Sequence, residues 1–263
     1  MLSWVHDFPI WITYCIFLIF FVGSGIFCVI LFRTALNYLL RLDTDRNNIL
    51  DPILSYVGII FGIMIGSLAI SSHQNQTSAQ DAITKEAAFI TILYRNFSLY
   101  PEPMRAELQA VLREYVRHVV EEELPAIRKG NDLTAGAGRV ASINQVLGSF
   151  EPQTTGQELM HAQTLSNFTE FVLARRLRIF SAFANIPNFF WFTLFMGWFL
   201  SLTLLLMFNV SIVMQVSGVT ILSTTMATLV CLISLMDYPF RGEFSVASDS
   251  IRLGYEQMMQ SNR

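Results

Sequence analysis

Few residues in this chain have types and spacings that could do chemistry. Glu121, Glu122 and Glu123 form an acidic run that could bind a cation, but such a run reads first as a solvated helix end. His6, His73, His118 and His161 are scattered, with no HExxH pattern and no paired Cys/His spacing, so no metal set is expected. No GxSxG elbow, phosphate-binding loop or GxGxxG turn in strand context occurs, so the chain reads as not an enzyme and no cofactor is expected.

Two regular spacings remain. Gly58, Gly62 and Gly66 recur every fourth residue, and on a helix they drift only slowly around the axis into one smooth groove. Small residues let helix backbones approach closely inside a membrane. The row is therefore a packing seam, or it marks a helix packed around a central axis whose bulkier faces form a constriction. In the second case Ile59, Ile63 and Ser67, or Phe61, Ile65 and Ala69, are the candidate lining rows, and the sequence does not choose between them. Further on, Gln215, Ser217, Thr220, Thr224 and Thr228, with Thr225 nearby, form a polar stripe. Hydroxyls so placed bond their own helix's carbonyls, bond a neighbouring helix or line a wet cavity.

The elements that must position these residues follow from where charge is missing. The chain has 263 residues, 53% of them hydrophobic and 14% charged, and a net charge of −3. Soluble domains carry about 25% charged residues. No Asp, Glu, Lys or Arg occurs between Asp7 and Arg33, between Asp51 and Asp81, or between Arg178 and Asp237. A charge at the centre of a spanning helix costs about 2.5–3.5 kcal/mol on insertion scales, so these gaps predict membrane spans. Spans are expected at 10–32, 53–71, 189–208 and 211–236, with Pro52 in the first turn of the second. Cys15, Cys28 and Cys231 fall within them and read as small buried hydrophobes. The near-neutral balance does not suggest a nucleic-acid partner.

The expected architecture is all-α: a polytopic membrane protein of four transmembrane helices, with a helical extramembrane domain between the second and third. The expected divisions are 1–71, 72–186, 187–236 and a tail at 237–263. In the middle region Met104, Leu108, Val111, Leu112, Tyr115 and Val119 share one helical face. Residues 131–148 read as a loop or broken helix. A later helix carries Leu159, Ala162, Leu165, Phe168, Val172 and Leu177 as its apolar stripe. Four crossings put the domain and both termini on one side. Lys85, Arg175, Arg176, Arg178, Arg241 and Arg252, against Arg33, Arg41 and Arg46, favour the cytoplasm. After the last span Asp237 is the first charge, Pro239 ends the helix, Phe240 anchors in the interface or packs on the domain, and Gly242 permits a bend. No ionisable group lies deep in a span, which argues against a proton relay or ion-coupled transporter but not against a channel.

Two stretches then carry a resemblance. One comprises Lys85-Glu86-Ala87-Ala88-Phe89 with Leu93-Tyr94-Arg95, then Leu112-Arg113-Glu114-Tyr115, Glu122-Glu123-Leu124-Pro125 and Gly130. The other is Asp237-Tyr238-Pro239-Phe240-Arg241-Gly242-Glu243. Together they resemble the bacterial membrane family described as bestrophin-like, over about residues 50–250, with Leu124 standing where that family has Trp. The resemblance implies a homo-oligomer, a pentamer by way of the bestrophins, in the bacterial inner membrane. It also implies a pore for small anions lined by the second span. No counterpart of the bestrophin calcium clasp is seen, and calcium gating is not carried over. The competing expectation is a non-conducting oligomeric scaffold or sensor whose helical domain docks a partner.

Overall fold

The computed structural model describes residues 5–6, 8–39, 46–129, 137–183, 186–240 and 251. Its helices are α1 (Ile10–Leu39), α2 (Arg46–Phe97), α3 (Met104–His118), α4 (Leu124–Lys129), α5 (Ala137–Gly148), α6 (Thr155–Phe183), α7 (Asn188–Met207) and α8 (Ile212–Met236). A π-helical turn, Val119–Glu123, joins α3 to α4. No strand occurs among the described residues. Four stretches are long and apolar enough to cross a membrane: within α1, within α2, within the run Thr155–Met207 and within α8. The chain divides into two compact units, Met1–Gln74 with Asn185–Asp237, and Asn75–Ala184 with Tyr238–Arg263.

The first unit packs α1 against α8 along their length, and small residues make that possible. A Cβ added at Gly25 would lie 2.8 Å from both Ser223 Oγ and Val219 Cγ1, so glycine alone fits at this crossing. A Cβ at Gly197 of α7 would lie 2.2 Å from the Phe61 ring of α2. Phe21 supplies the aromatic centre, 5.0 Å from the Trp198 ring and 5.9 Å from Phe195. The α7–α8 turn is held by Arg33 Nη2, which donates to the Val210 carbonyl at 3.0 Å, and by Asn47, which bonds Asn209 in both directions. Pro52 does not open α2. Six residues precede it in the helix, so it removes one intrahelical bond and leaves the Asn48 carbonyl without that donor. Of the three cysteines only Cys231 is buried; Cys15 lies on the outer face of α1.

The second unit has an ordinary apolar core around Ile83, Leu93, Leu108, Leu112, Val119 and Phe171, and a charged centre within it. Arg178 and Glu86 are both fully buried and paired through Arg178 Nε. Arg178 Nη2 donates to Glu123 Oε2 at 2.7 Å, and Arg175 Nη2 donates to Glu123 Oε1 at 2.6 Å. The buried Tyr115 hydroxyl donates to the remaining oxygen of Glu86. Two carboxylates and two guanidinium groups thus close a neutral, hydrogen-bonded set. Burial and the neighbouring Glu86 carboxylate push the Tyr115 hydroxyl well above the usual phenol range. Burial alone would raise Glu123, but Arg178 and Arg175 outweigh it and hold the carboxyl below its usual range.

Two expectations are corrected here. Glu123 is not part of a solvated helix end. The extra residue in the π turn delays the inward phase, so Glu123, Leu124 and Ile127 face the core while Glu121 and Glu122 stay outside. Of the stretch read as a loop or broken helix, residues 137–148 form α5, because Val140, Ile143 and Leu147 repeat at helical spacing and bury their face. The stripe assigned to α6 is also rotated. Leu159 and Leu177 are exposed, and the buried face is Thr164, Phe168, Phe171, Ala174, Arg175, Arg178 and Ser181.

Two tests follow. Gly197→Leu should destabilise the chain by about 1–3 kcal/mol through overpacking against Phe61. Adding Phe61→Ala should recover most of the loss in thermal unfolding followed in detergent. Arg178→Met should cost about 3–5 kcal/mol, because it strands Glu86 and half of Glu123 without a counter-charge. Because the Glu123 carboxyl is depressed, its stabilising share is complete above about pH 4.3, the unfolded value, and is lost as pH falls through the folded value. The midpoint temperature should therefore fall more steeply below that pH in the parent chain than in Glu123→Gln.

Candidate functional site

α2 is the element with most still unpartnered. Only 11% of its most apolar window is buried within the chain, against 50% for α8. Its two faces separate cleanly. Phe61, Ile65, Leu68 and Ala69 turn into the first unit's core, and Ser72 Oγ donates to the Ile233 carbonyl. On the other face Ile59 is 64% and Ile63 67% exposed, while Ile65 is only 5% exposed. Ser67 lies on the exposed face too, its hydroxyl bonded at 2.9 Å to the Ile63 carbonyl of its own helix. The row Phe61, Ile65, Ala69 is thus occupied by intrachain packing, and Ile59, Ile63, Ser67 is left available.

The glycine row behaves differently from both. A Cβ on Gly58, Gly62 or Gly66 would meet nothing within 4 Å, so within one chain the row is no contact seam. The close helix approaches fall instead on Gly25 and Gly197, isolated glycines that no regular spacing advertises. Gly58 and Gly62 border an apolar cleft of about 440 Å³, which Phe61, Ser201, Leu205, Gly218, Leu222 and Thr225 also line.

The polar stripe on α8 is not gathered into one place. Gln215 is buried, and its Nε2 donates to the Leu205 and Leu206 carbonyls at 3.3 and 3.0 Å, which ties off the end of α7. Thr228 bonds the Thr224 carbonyl, and Thr225 the Ile221 carbonyl, each one turn back. Thr228 also meets the Tyr14 hydroxyl at 3.3 Å. Ser217 is exposed, and Thr220 and Thr224 are half-buried.

The junction after α8 is built on Asp237. Its Oδ1 accepts the Ile186 amide at 2.6 Å, just before α7, and burial raises its carboxyl above the usual range despite that bond. Asp237 closes the first unit, whereas Phe240 packs in the second unit's core, with Pro239 buried between them. Gly242 and Arg241 lie outside the described residues. Among the described residues no group of His, Cys, Asp or Glu is gathered that could hold a metal ion. What sequence reasoning missed was the set Glu86, Tyr115, Glu123, Arg175 and Arg178. Its one signal was arginine recurring three residues apart on α6, in phase with Phe168 and Phe171.

A model of the bestrophin-like domain matches residues 19–251. Two solved structures share the fold. One is a variant of a bacterial bestrophin homologue from Klebsiella pneumoniae, at TM-score 0.69 and 13% identity, covering 95% of this chain and 98% of that one. The other is a variant of a membrane protein, at TM-score 0.68 and 13% identity, covering 94% and 97%. No curated protein matches the chain significantly. With the bestrophin-like domain matched over most of its length, this chain belongs to the bestrophin-like family.

Proposed function

We propose that the chain is the subunit of a homo-oligomeric, multi-pass membrane channel that passes small anions, with α2 nearest the axis. The observation that carries this reading is the exposed, uncharged row Ile59, Ile63 and Ser67 on the least covered spanning helix of a bestrophin-like chain. A ring of such rows makes a hydrophobic constriction, which gates by dewetting and needs no fixed charge. Phe61 and Ile65 then act as the inner brace, holding α2 against α7 so that the opposite face keeps its direction. A pentamer is the number that the bestrophin relationship suggests. We place the chain in the bacterial inner membrane, with the termini and the helical region between α2 and α7 on the cytoplasmic side. Lys85, Arg175, Arg176, Arg178, Arg241 and Arg252, against Arg33, Arg41 and Arg46, support that orientation.

The test is ion flux from proteoliposomes holding purified protein. In a background with Cys15, Cys28 and Cys231 replaced, chloride efflux is expected. A water-soluble thiol reagent should abolish most of it in Ile63→Cys and leave Ile65→Cys unaffected. Absence of flux across several salts would instead favour a non-conducting scaffold. Block at Ile65→Cys but not at Ile63→Cys would put the wrong face of α2 on the axis. Ile63→Ala, which widens the constriction, should raise basal efflux several-fold in the same assay.

A further inference from the structure

The cleft beside α2 has the dimensions and polarity of a lipid site. Along α2 it runs from Leu54 to Ile65, and along α8 from Gly218 to Leu229. Each run spans eleven residue steps, or about 16 Å at 1.5 Å per residue. That is about half of the 30 Å hydrocarbon core, the depth of one leaflet. A helix from a second copy would cross the full core, so a half-depth cleft suits an acyl chain better. The cleft exists because side chains are missing from α2 at Gly58 and Gly62, beside which a Cβ would meet nothing within 4 Å. Its only polar lining residues are Ser201 and Thr225, and the Thr225 hydroxyl is already bonded to the Ile221 carbonyl.

The end of the cleft nearest the helix termini carries the complementary charge. Leu205 stands one turn before Asn209, and Leu54 about two turns after Asn47, which bonds Asn209. Beside that turn Arg33 spends one guanidinium nitrogen on the Val210 carbonyl, and its other terminal nitrogen, Nη1, is buried without a hydrogen-bond partner. A guanidinium group at the headgroup level above an apolar, one-leaflet cleft selects an amphiphile with an anionic head. We infer that the cleft between α2, α7 and α8 binds one acyl chain of an anionic glycerophospholipid, with its phosphate held at the Arg33 end.

This inference does not depend on ion conduction, and its test is bound lipid. Purified, delipidated full-length protein is incubated with phosphatidylglycerol or phosphatidylcholine, and bound lipid per chain is counted by native mass spectrometry. The parent should retain one phosphatidylglycerol per chain, and Arg33→Gln should weaken that retention about fivefold while leaving phosphatidylcholine unchanged. Two cleft-filling variants on different helices, Thr225→Phe and Gly62→Leu, should each remove bound lipid of either kind. A leucine at position 62 starts from a Cβ with open space around it, so it guards against loss through misfolding. Lipid counts unchanged in both filled variants would overturn the inference. So would loss of the oligomer with the lipid count intact, which would make the cleft a seat for a second copy.

Discussion

A bilayer lets a protein leave apolar side chains uncovered but does not let it leave charges there, and that asymmetry organises this molecule. In the first unit large aliphatic and aromatic residues stand open on α1, α2 and α7. That is no defect where the surroundings are as apolar as the core. Several polar groups in the same unit are tied off by hydrogen bonds: Gln215 to the end of α7, Thr225 and Thr228 to their own helix, Asp237 to the Ile186 amide. In the second unit charges do go inside, and there they are paired to neutrality. Arg178 and Glu86 would each be prohibitive alone; together with Glu123, Arg175 and Tyr115 their charges are paired.

Much of this was legible from the chain itself, because the penalty for charge in lipid is large enough to write itself as gaps. The three charge-free stretches correspond to the helices apolar enough to span. The motifs around Lys85–Arg95 and Asp237–Glu243 pointed to the family that the domain match establishes. The inner face of α6 is less legible, because arginine near a membrane reads as a flanking cation. That reading turns Leu159 and Leu177 inward, where the fold instead buries Arg175 and Arg178. A rule that sends charges outside fails where carboxylates of other helices, here Glu86 and Glu123, wait to receive them, and such partners are far apart in sequence. The π turn that rotates Glu123 inward has no residue signature at all. It is a one-residue change of phase set by what the following helix must bury.

The glycines teach a related lesson. A regular row, Gly58, Gly62 and Gly66, drew attention as a seam, yet the close approaches within the chain are at Gly25 and Gly197. Spacing shows that a face is smooth; it does not show what lies against it. In this fold the smooth face opens a cleft on one side of α2, and the isoleucine row beside it is what the chain leaves bare. With the inward row fixed by Phe61 and Ile65, the direction of the bare row is fixed as well.

The proposed channel requires this bare row to encircle an axis. A density map of the assembled particle in lipid nanodiscs reads that arrangement. A closed ring is expected, with α2 innermost and Ile59 and Ile63 at its narrowest radius. A ring with α2 on its lipid-facing rim, or a particle with a single copy of the chain, would contradict it.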